Sequence, residues 1–268
     1  MATQTQTTAS QHLTIVAEPH DVETEILYTK EAGVVKDVRP NVKDFTLEKN
    51  GFQYVHHSVP QDHFANEDAI KTLHYKEMEA FIAKTVGAKD VMIYNHIVRN
   101  APLSTDDKNR QGYVGPAYRC HIDVSTDFSK EIVEQNLKRF GKDASLKDGK
   151  WQLLNVWRPL KTIRRDPLAV SDANTIPYSD QHIVTHERKY TVDGEEKVMK
   201  VESPFTRRND GHQFYYMHEQ QPHDVLIFKT ADSDATAVGA ATHTSFTVPG
   251  TENLPTRESI EMRVLVTY

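Results

Sequence analysis

His121 and Asp123 stand two places apart in the segment Cys120-His121-Ile122-Asp123-Val124, while the histidine best placed to join them, His243, comes near the other end of the chain. Side chains at i and i+2 share one face of a strand. A strand across 118–124 therefore points both polar groups the same way and turns Ile122 to the opposite layer. His243 reaches them only if sheets close on one another, so the fold must bring two distant halves of the chain side by side.

The remaining pattern is suited to that closure. After residue 150 the chain is mostly short β-prone runs at 151–157, 181–190, 197–201, 214–218, 225–229, 238–242 and 260–268, separated by Pro, Gly, Asp or Asn. Runs at this spacing predict a sandwich or small barrel. Earlier runs at 12–16, 25–28, 52–56, 91–98 and 118–124 also read as strands. Two helices interrupt them. Asn66 is placed as an N-cap, apolar residues from Ile70 to Ile82 fall at helical spacing, and Gly87 is placed to end that helix. Ser125 or Thr126 caps a second helix covering 130–139. The expectation is a mainly β fold, a double-stranded β-helix (jelly roll, cupin-like) with helices packed on the outside. No composition break separates helices from strands, so residues 12–268 read as a single domain behind a flexible polar arm at 1–11.

Two imidazoles and one carboxylate can hold one face of an octahedral Fe(II) and leave three positions open. The chain has 14 histidines, and a lone histidine on a strand is ordinarily a surface or satisfied core residue. His121-Ile-Asp123 is nevertheless its only His-x-Asp, and Arg257-Glu-Ser259, which follows His243, its only Arg-x-Ser. The planar fork of Arg257 binds a carboxylate through two bonds and Ser259 adds a third. His182 and His186 are four apart, but on a strand that spacing separates them too far to chelate easily. His56, His57 and His63 flank Pro60 and read as loop residues. Glycine-rich phosphate loops and the Gly-x-Ser-x-Gly elbow are absent from the sequence.

Bulk properties exclude further classes. A net charge of −6 gives no basic footprint for nucleic acid. Cys120 is the single cysteine, which excludes an intrachain disulfide and thiolate zinc sites and fits a reducing compartment, hence the cytoplasm. No stretch approaches the roughly 18 apolar residues of a membrane span, and residues 1–11 do not read as a signal peptide.

The same residues resemble those of the Fe(II)/2-oxoglutarate-dependent dioxygenases, most closely the gibberellin desaturase-like and cephalosporin methoxylation-related branch of fungal and bacterial secondary metabolism. The segments at 118–125, 155–160, 165–170, 224–229, 241–246 and 255–263 carry the resemblance, in consistent order over about residues 90 to 268. It implies Fe(II) on His121, Asp123 and His243, and 2-oxoglutarate anchored by Arg257 and Ser259. It also implies O2 as oxidant, with decarboxylation to succinate coupled to hydroxylation, desaturation or ring closure of a small molecule. Asn155 is expected to help orient the co-substrate, with Trp157 shaping the wall. Arg263 is a second candidate anchor, because an unbroken strand points it the same way as Arg257, and a pair with Glu261 is its alternative. Arg158 is a candidate for a carboxylate, and Arg99 a weaker one. The gap between His243 and Arg257 is long for the pattern and holds Pro249, Gly250 and Pro255.

Two other readings stay open on the residues alone: a cupin-like metal enzyme that uses no 2-oxoglutarate (an isomerase or another dioxygenase), and a noncatalytic jelly-roll binding protein. Polar loops at 56–66, 101–116 and 204–213 favour a substrate with a carboxylate or other oxygen functions. A homodimer is compatible with everything above.

Overall fold

A computed structural model describes residues 22–24, 33–100, 115–192 and 195–268. The expected arm at 1–11, the strands at 12–16 and 25–28, and the loop 101–114 lie outside the described residues. Twelve strands appear in chain order among the described residues: β1 Val22–Thr24, β2 Gly33–Asp37, β3 Phe52–His56, β4 Asp90–Arg99, β5 Trp151–Pro159, β6 Leu168–Ser171, β7 Gln181–Val192, β8 Glu195–Thr206, β9 Phe214–Tyr216, β10 Asp224–Asp232, β11 His243–Ser245 and β12 Ser259–Thr267. The α-helices are α1 Leu47–Asn50, α2 Glu67–Ala69, α3 Tyr75–Val86 and α4 Thr126–Arg139.

The strands form two facing sheets. One is antiparallel in the order β3-β10-β5-β12-β4 and the other runs β1-β2-β9-β6-β11, with β7 and β8 as a long hairpin beyond it. His121 bridges Phe205 of the hairpin on one side and His243 of β11 on the other, so the His-x-Asp segment joins the hairpin to the second sheet. This is the double-stranded β-helix expected from the strand pattern.

β5 is buried along its whole length, which explains why Trp151-Gln-Leu-Leu-Asn-Val-Trp157 is nearly continuously apolar. Phe52, Trp157, Leu226 and Phe228 of the first sheet meet Leu168 and Val170 of the second in the space between them. On the outer face Leu154, Val156, Ile227, Met262 and Val264 pack against Met78 and Ile82 of α3. Each such side chain contributes about 1.5–3 kcal/mol by leaving water, so the outer helix is integral to the fold.

The helix ends follow the sequence. The Asn66 side chain accepts from Ala69 N, and Gly87 closes α3 in the left-handed region at φ 72°. The Ser125 side chain accepts from Phe128 N and starts α4 at Thr126, four residues earlier than expected. A π-helical turn, Ile70–His74, joins α2 to α3. It ends on His74, which is fully buried with neither ring nitrogen partnered, and burial first, then the Arg158 charge, pushes its pKa down to about 3. The native ring stays neutral where the unfolded one takes a proton, so this residue removes stability as pH falls from about 6.5 toward 3. Comparing His74→Leu with the wild type in urea unfolding at pH 7.5 and pH 5 should show the variant losing about 2 kcal/mol less between the two.

Three expectations are corrected. The run 118–124 forms no strand, holding only isolated bridges and bending at Asp123 and Val124: Ile122 N donates to the carbonyl of Pro204, which has no N–H to return. His243 begins its strand rather than ending one, and no strand covers 238–242. β1, β2 and β6 are additions that the strand pattern does not announce.

Candidate functional site

The Cys120–Asp123 backbone is clamped between β8 and β11. Thr206 N donates to Cys120 O, His243 N to His121 O, and the Ser203 hydroxyl to Asp123 O. These bonds hold the His-x-Asp pair although no regular strand forms. Cys120 is buried, and burial raises its thiol pKa well above the ordinary value, so the thiol is inert.

His121, Asp123 and His243 converge, with one potential ligand atom from each within 4.8 Å of the others. The two imidazole rings are 4.4 Å apart, and His121 Nε2 is 3.8 Å from Asp123 Oδ1. His121 Nδ1 donates to the Arg119 carbonyl at 2.6 Å, which fixes the tautomer and leaves Nε2 bare on the Asp123 side. Burial first, then the His121 ring, pushes the His243 pKa down to about 3, so it is an unprotonated donor at neutral pH.

Asp123 is held on both oxygens. Arg263 donates to Oδ1 at 2.8 Å and the Asn155 amide to Oδ2 at 2.6 Å. Burial opposes its ionisation, but the Arg263 guanidinium, the two imidazoles and the Asn155 amide keep its pKa well below the carboxylate range. Arg263 is itself raised, because Asp123 and Glu261 outweigh its burial. Buried Glu261 accepts from Asn155 at 3.3 Å and closes the set. Asn155 and Arg263 are thus placed on a candidate metal ligand, whereas the sequence points them toward the co-substrate. Glu261 is legible there only as a partner of Arg263. The alternation of Ser259, Glu261 and Arg263 on one face of β12 is the signal that links all three.

Arg257 precedes β12 and is 3% exposed. Its Nη1 donates to the Asp166 carbonyl at 2.7 Å and to the Ser245 hydroxyl at 2.8 Å. Asp166 adopts the left-handed region at φ 51°, unusual for a non-glycine residue. Asp166 and Ser245 lie in the segments 165–170 and 241–246 that carry the resemblance, which assigns neither a role. Arg257 Nε, Ser259 Oγ and Trp157 Nε1 are buried and have no partner, and the Arg257 guanidinium lies 5.5 Å from the Trp157 ring. Burial, aided by the Arg99 charge, pushes the Arg257 pKa down to about 10, still fully protonated at neutral pH. Unpartnered buried donors around a cation fit an anionic ligand.

The other candidates lie elsewhere. Arg158 faces outward, donating to the His57 and Pro222 carbonyls and to Met78 Sδ of α3. His57 stacks on Phe81 of α3 with ring centres 4.0 Å apart, so that part of the loop 56–66 faces the outer helix and not the metal candidates. Arg99 pairs in register with Ser259 and donates to the Gly115 carbonyl. Among the described residues no helix is long and apolar enough to cross a membrane.

A sequence family described as an oxidoreductase/YMDC permease-like domain matches residues 2–267. The alpha-ketoglutarate-dependent dioxygenase phiK of Fungal sp. is 34% identical over 84% of this chain and 80% of its own. The gibberellin cluster GA4 desaturase of Gibberella fujikuroi is 28% identical over 88% and 87%. The solved iron and alpha-ketoglutarate-dependent endoperoxidase NvfI superposes with a TM-score of 0.76 at 25% identity, covering 89% of this chain and 84% of that one. The match thus extends through the first third of the sequence, which carries little of the motif resemblance. The chain belongs to the Fe(II)/2-oxoglutarate-dependent dioxygenases, oxidoreductases that use Fe(II), 2-oxoglutarate and O2 on small molecules.

Proposed function

We propose that His121, Asp123 and His243 hold the Fe(II) of this oxygenase and that Arg257 and Ser259 take the distal carboxylate of 2-oxoglutarate, for hydroxylation or desaturation of a small secondary metabolite. The observation that carries this reading is the buried, unpartnered Arg257 Nε and Ser259 Oγ in the same barrel as the His/Asp set. The bound iron, with 2-oxoglutarate and O2, supplies an oxidant able to remove hydrogen from an unactivated C–H bond.

The chain's own residues do the positioning. The Arg119 carbonyl orients His121, while Asn155 and Arg263 fix the Asp123 carboxylate, so the ligand atoms are set before metal arrives. Ser245 and the Asp166 carbonyl lock the Arg257 fork, leaving Nε for the diacid. Trp157 and Phe228 line the interior and exclude water, with the Phe228 ring 4.6 Å from His243. Arg119, stacked 4.6 Å over Phe205, whose ring centre lies 6.1 Å from that of His121, favours a substrate bearing a carboxylate or other oxygen functions. The names of the relatives include a desaturase and an endoperoxidase. On this reading residues 12–268 work as one oxygenase domain, in the cytoplasm, with a homodimer compatible.

Anaerobic titration with Fe(II) and 2-oxoglutarate tests the reading. Wild type should develop the weak visible charge-transfer band of a chelated 2-oxo acid, and His121→Ala should not. No band in wild type, or an undiminished one in the variant, would sink it.

A further inference from the structure

A second cluster reproduces the geometry of the candidate metal set elsewhere in the fold. His56, His223 and Asp224 also place one ligand atom each within 4.8 Å of the others. Their imidazole rings are 4.5 Å apart at 47°, against 4.4 Å and 46° for His121 and His243. His223 Nε2 is 3.7 Å from Asp224 Oδ1, against 3.8 Å for the corresponding pair at the first set. Two imidazoles and a carboxylate thus recur at nearly identical spacing, built from an unrelated part of the sequence.

The scaffold around the cluster is fixed. His56 is the register partner of Asp224 at the end of the β3–β10 ladder, and His57 N donates to the His223 carbonyl at 2.8 Å. Asp224 Oδ2 accepts from Gln221 N at 3.0 Å, and the Gln220 amide donates to the Asp224 carbonyl at 2.7 Å. That leaves Asp224 Oδ1 directed to the histidines. Behind them, Arg158 donates to the His57 and Pro222 carbonyls. The His223 side chain is 44% exposed, so the cluster opens to solvent and an ion can enter. Phe228, which touches His243, lies four residues along β10 from Asp224, a rise of about 13 Å. The two sets are therefore separate sites.

We propose that His56, His223 and Asp224 form a second divalent-cation site that takes a late first-row ion of the zinc class, with water completing its coordination. Imidazole ligands select zinc, nickel or copper over magnesium and calcium, and zinc binds such a set more tightly than Fe(II) does. A bound ion would tie the end of β3 to the turn that leads into β10. The residues take no part in the positioning of 2-oxoglutarate, so the ion is a clasp and not a second reaction centre.

Zinc binding to the metal-free full chain, counted by equilibrium dialysis, decides the matter. Wild type should bind two equivalents, His223→Gln and His56→Gln one each, and His121→Ala one. Combining His121→Ala with His223→Gln should abolish stoichiometric binding. The Fe(II)/2-oxoglutarate band should be unchanged in His223→Gln, a half-exposed position whose replacement does not threaten folding. A single equivalent in wild type that His56→Gln and His223→Gln retain, or two retained in both variants, would overturn the second site. Because zinc stoichiometry is read independently of the band, failure here is distinguishable from failure of the iron assignment.

Discussion

Arg257→Ala should raise the 2-oxoglutarate concentration needed for half-saturation by about two to four orders of magnitude while Fe(II) affinity stays close to wild type. The substitution removes the buried cation and donors proposed to hold the diacid. Charge-assisted hydrogen bonds contribute about 1.5–3 kcal/mol each, so losing two corresponds to that range. Arg257→Lys should recover little, because an ammonium cannot reproduce the planar fork now held by Asp166 and Ser245. Steady-state kinetics against 2-oxoglutarate, with Co(II) titration as a separate measure of the metal site, make the check. Unchanged 2-oxoglutarate dependence would show that the arginine is a structural residue and that the co-substrate is anchored elsewhere.

The second large effect concerns Asp123. Asp123→Ala should abolish stoichiometric Fe(II) binding, since a facial set cannot lose its only carboxylate and stay selective. Arg263→Met is the more informative partner experiment. It leaves the Asp123 carboxylate in a 12%-exposed position with Asn155 as its remaining donor. Breaking a buried pair from one side costs about 3 kcal/mol or more, so the metal-free variant should be that much less stable. A divalent ion supplies the missing positive charge, so Co(II) should stabilise Arg263→Met considerably more than wild type. Urea unfolding with and without Co(II) reads the difference, and equal metal-induced shifts would refute the coupling.

Whatever depends on local spacing is legible in the amino-acid sequence. The N-caps Asn66 and Ser125 and the C-cap Gly87 are local chemistry, and each appears where the sequence puts it. The two-residue interval in His121-Ile122-Asp123 is local too, and it turns both side chains toward His243. β1, β2 and β6 are absent from the strand pattern, because strands of three to five residues hold few alternating positions. The partners of Asn155 and Arg263 are hidden for a different reason. Both side chains read as turned inward, but which group each meets depends on where the 115–125 segment crosses the barrel. Arg158 escapes the same reading because its outward neighbours on α3 come from far earlier in the chain.

Three-residue β11 carries more than its length suggests. His243 belongs to the proposed iron set, and Ser245, two places on, braces the arginine proposed to meet the diacid. Both share a face, and their phase is set by pairing of His243, Thr244 and Ser245 with Val170, Ala169 and Leu168 on one edge and by the bridge from His243 to His121 on the other. Sliding the strand by one residue would turn Thr244 inward and carry both functional side chains to the opposite layer at once. Insertions or deletions in the loop before it, residues 233–242, should therefore never trade one affinity against the other. Iron and co-substrate binding would be inherited, or lost, as a single trait.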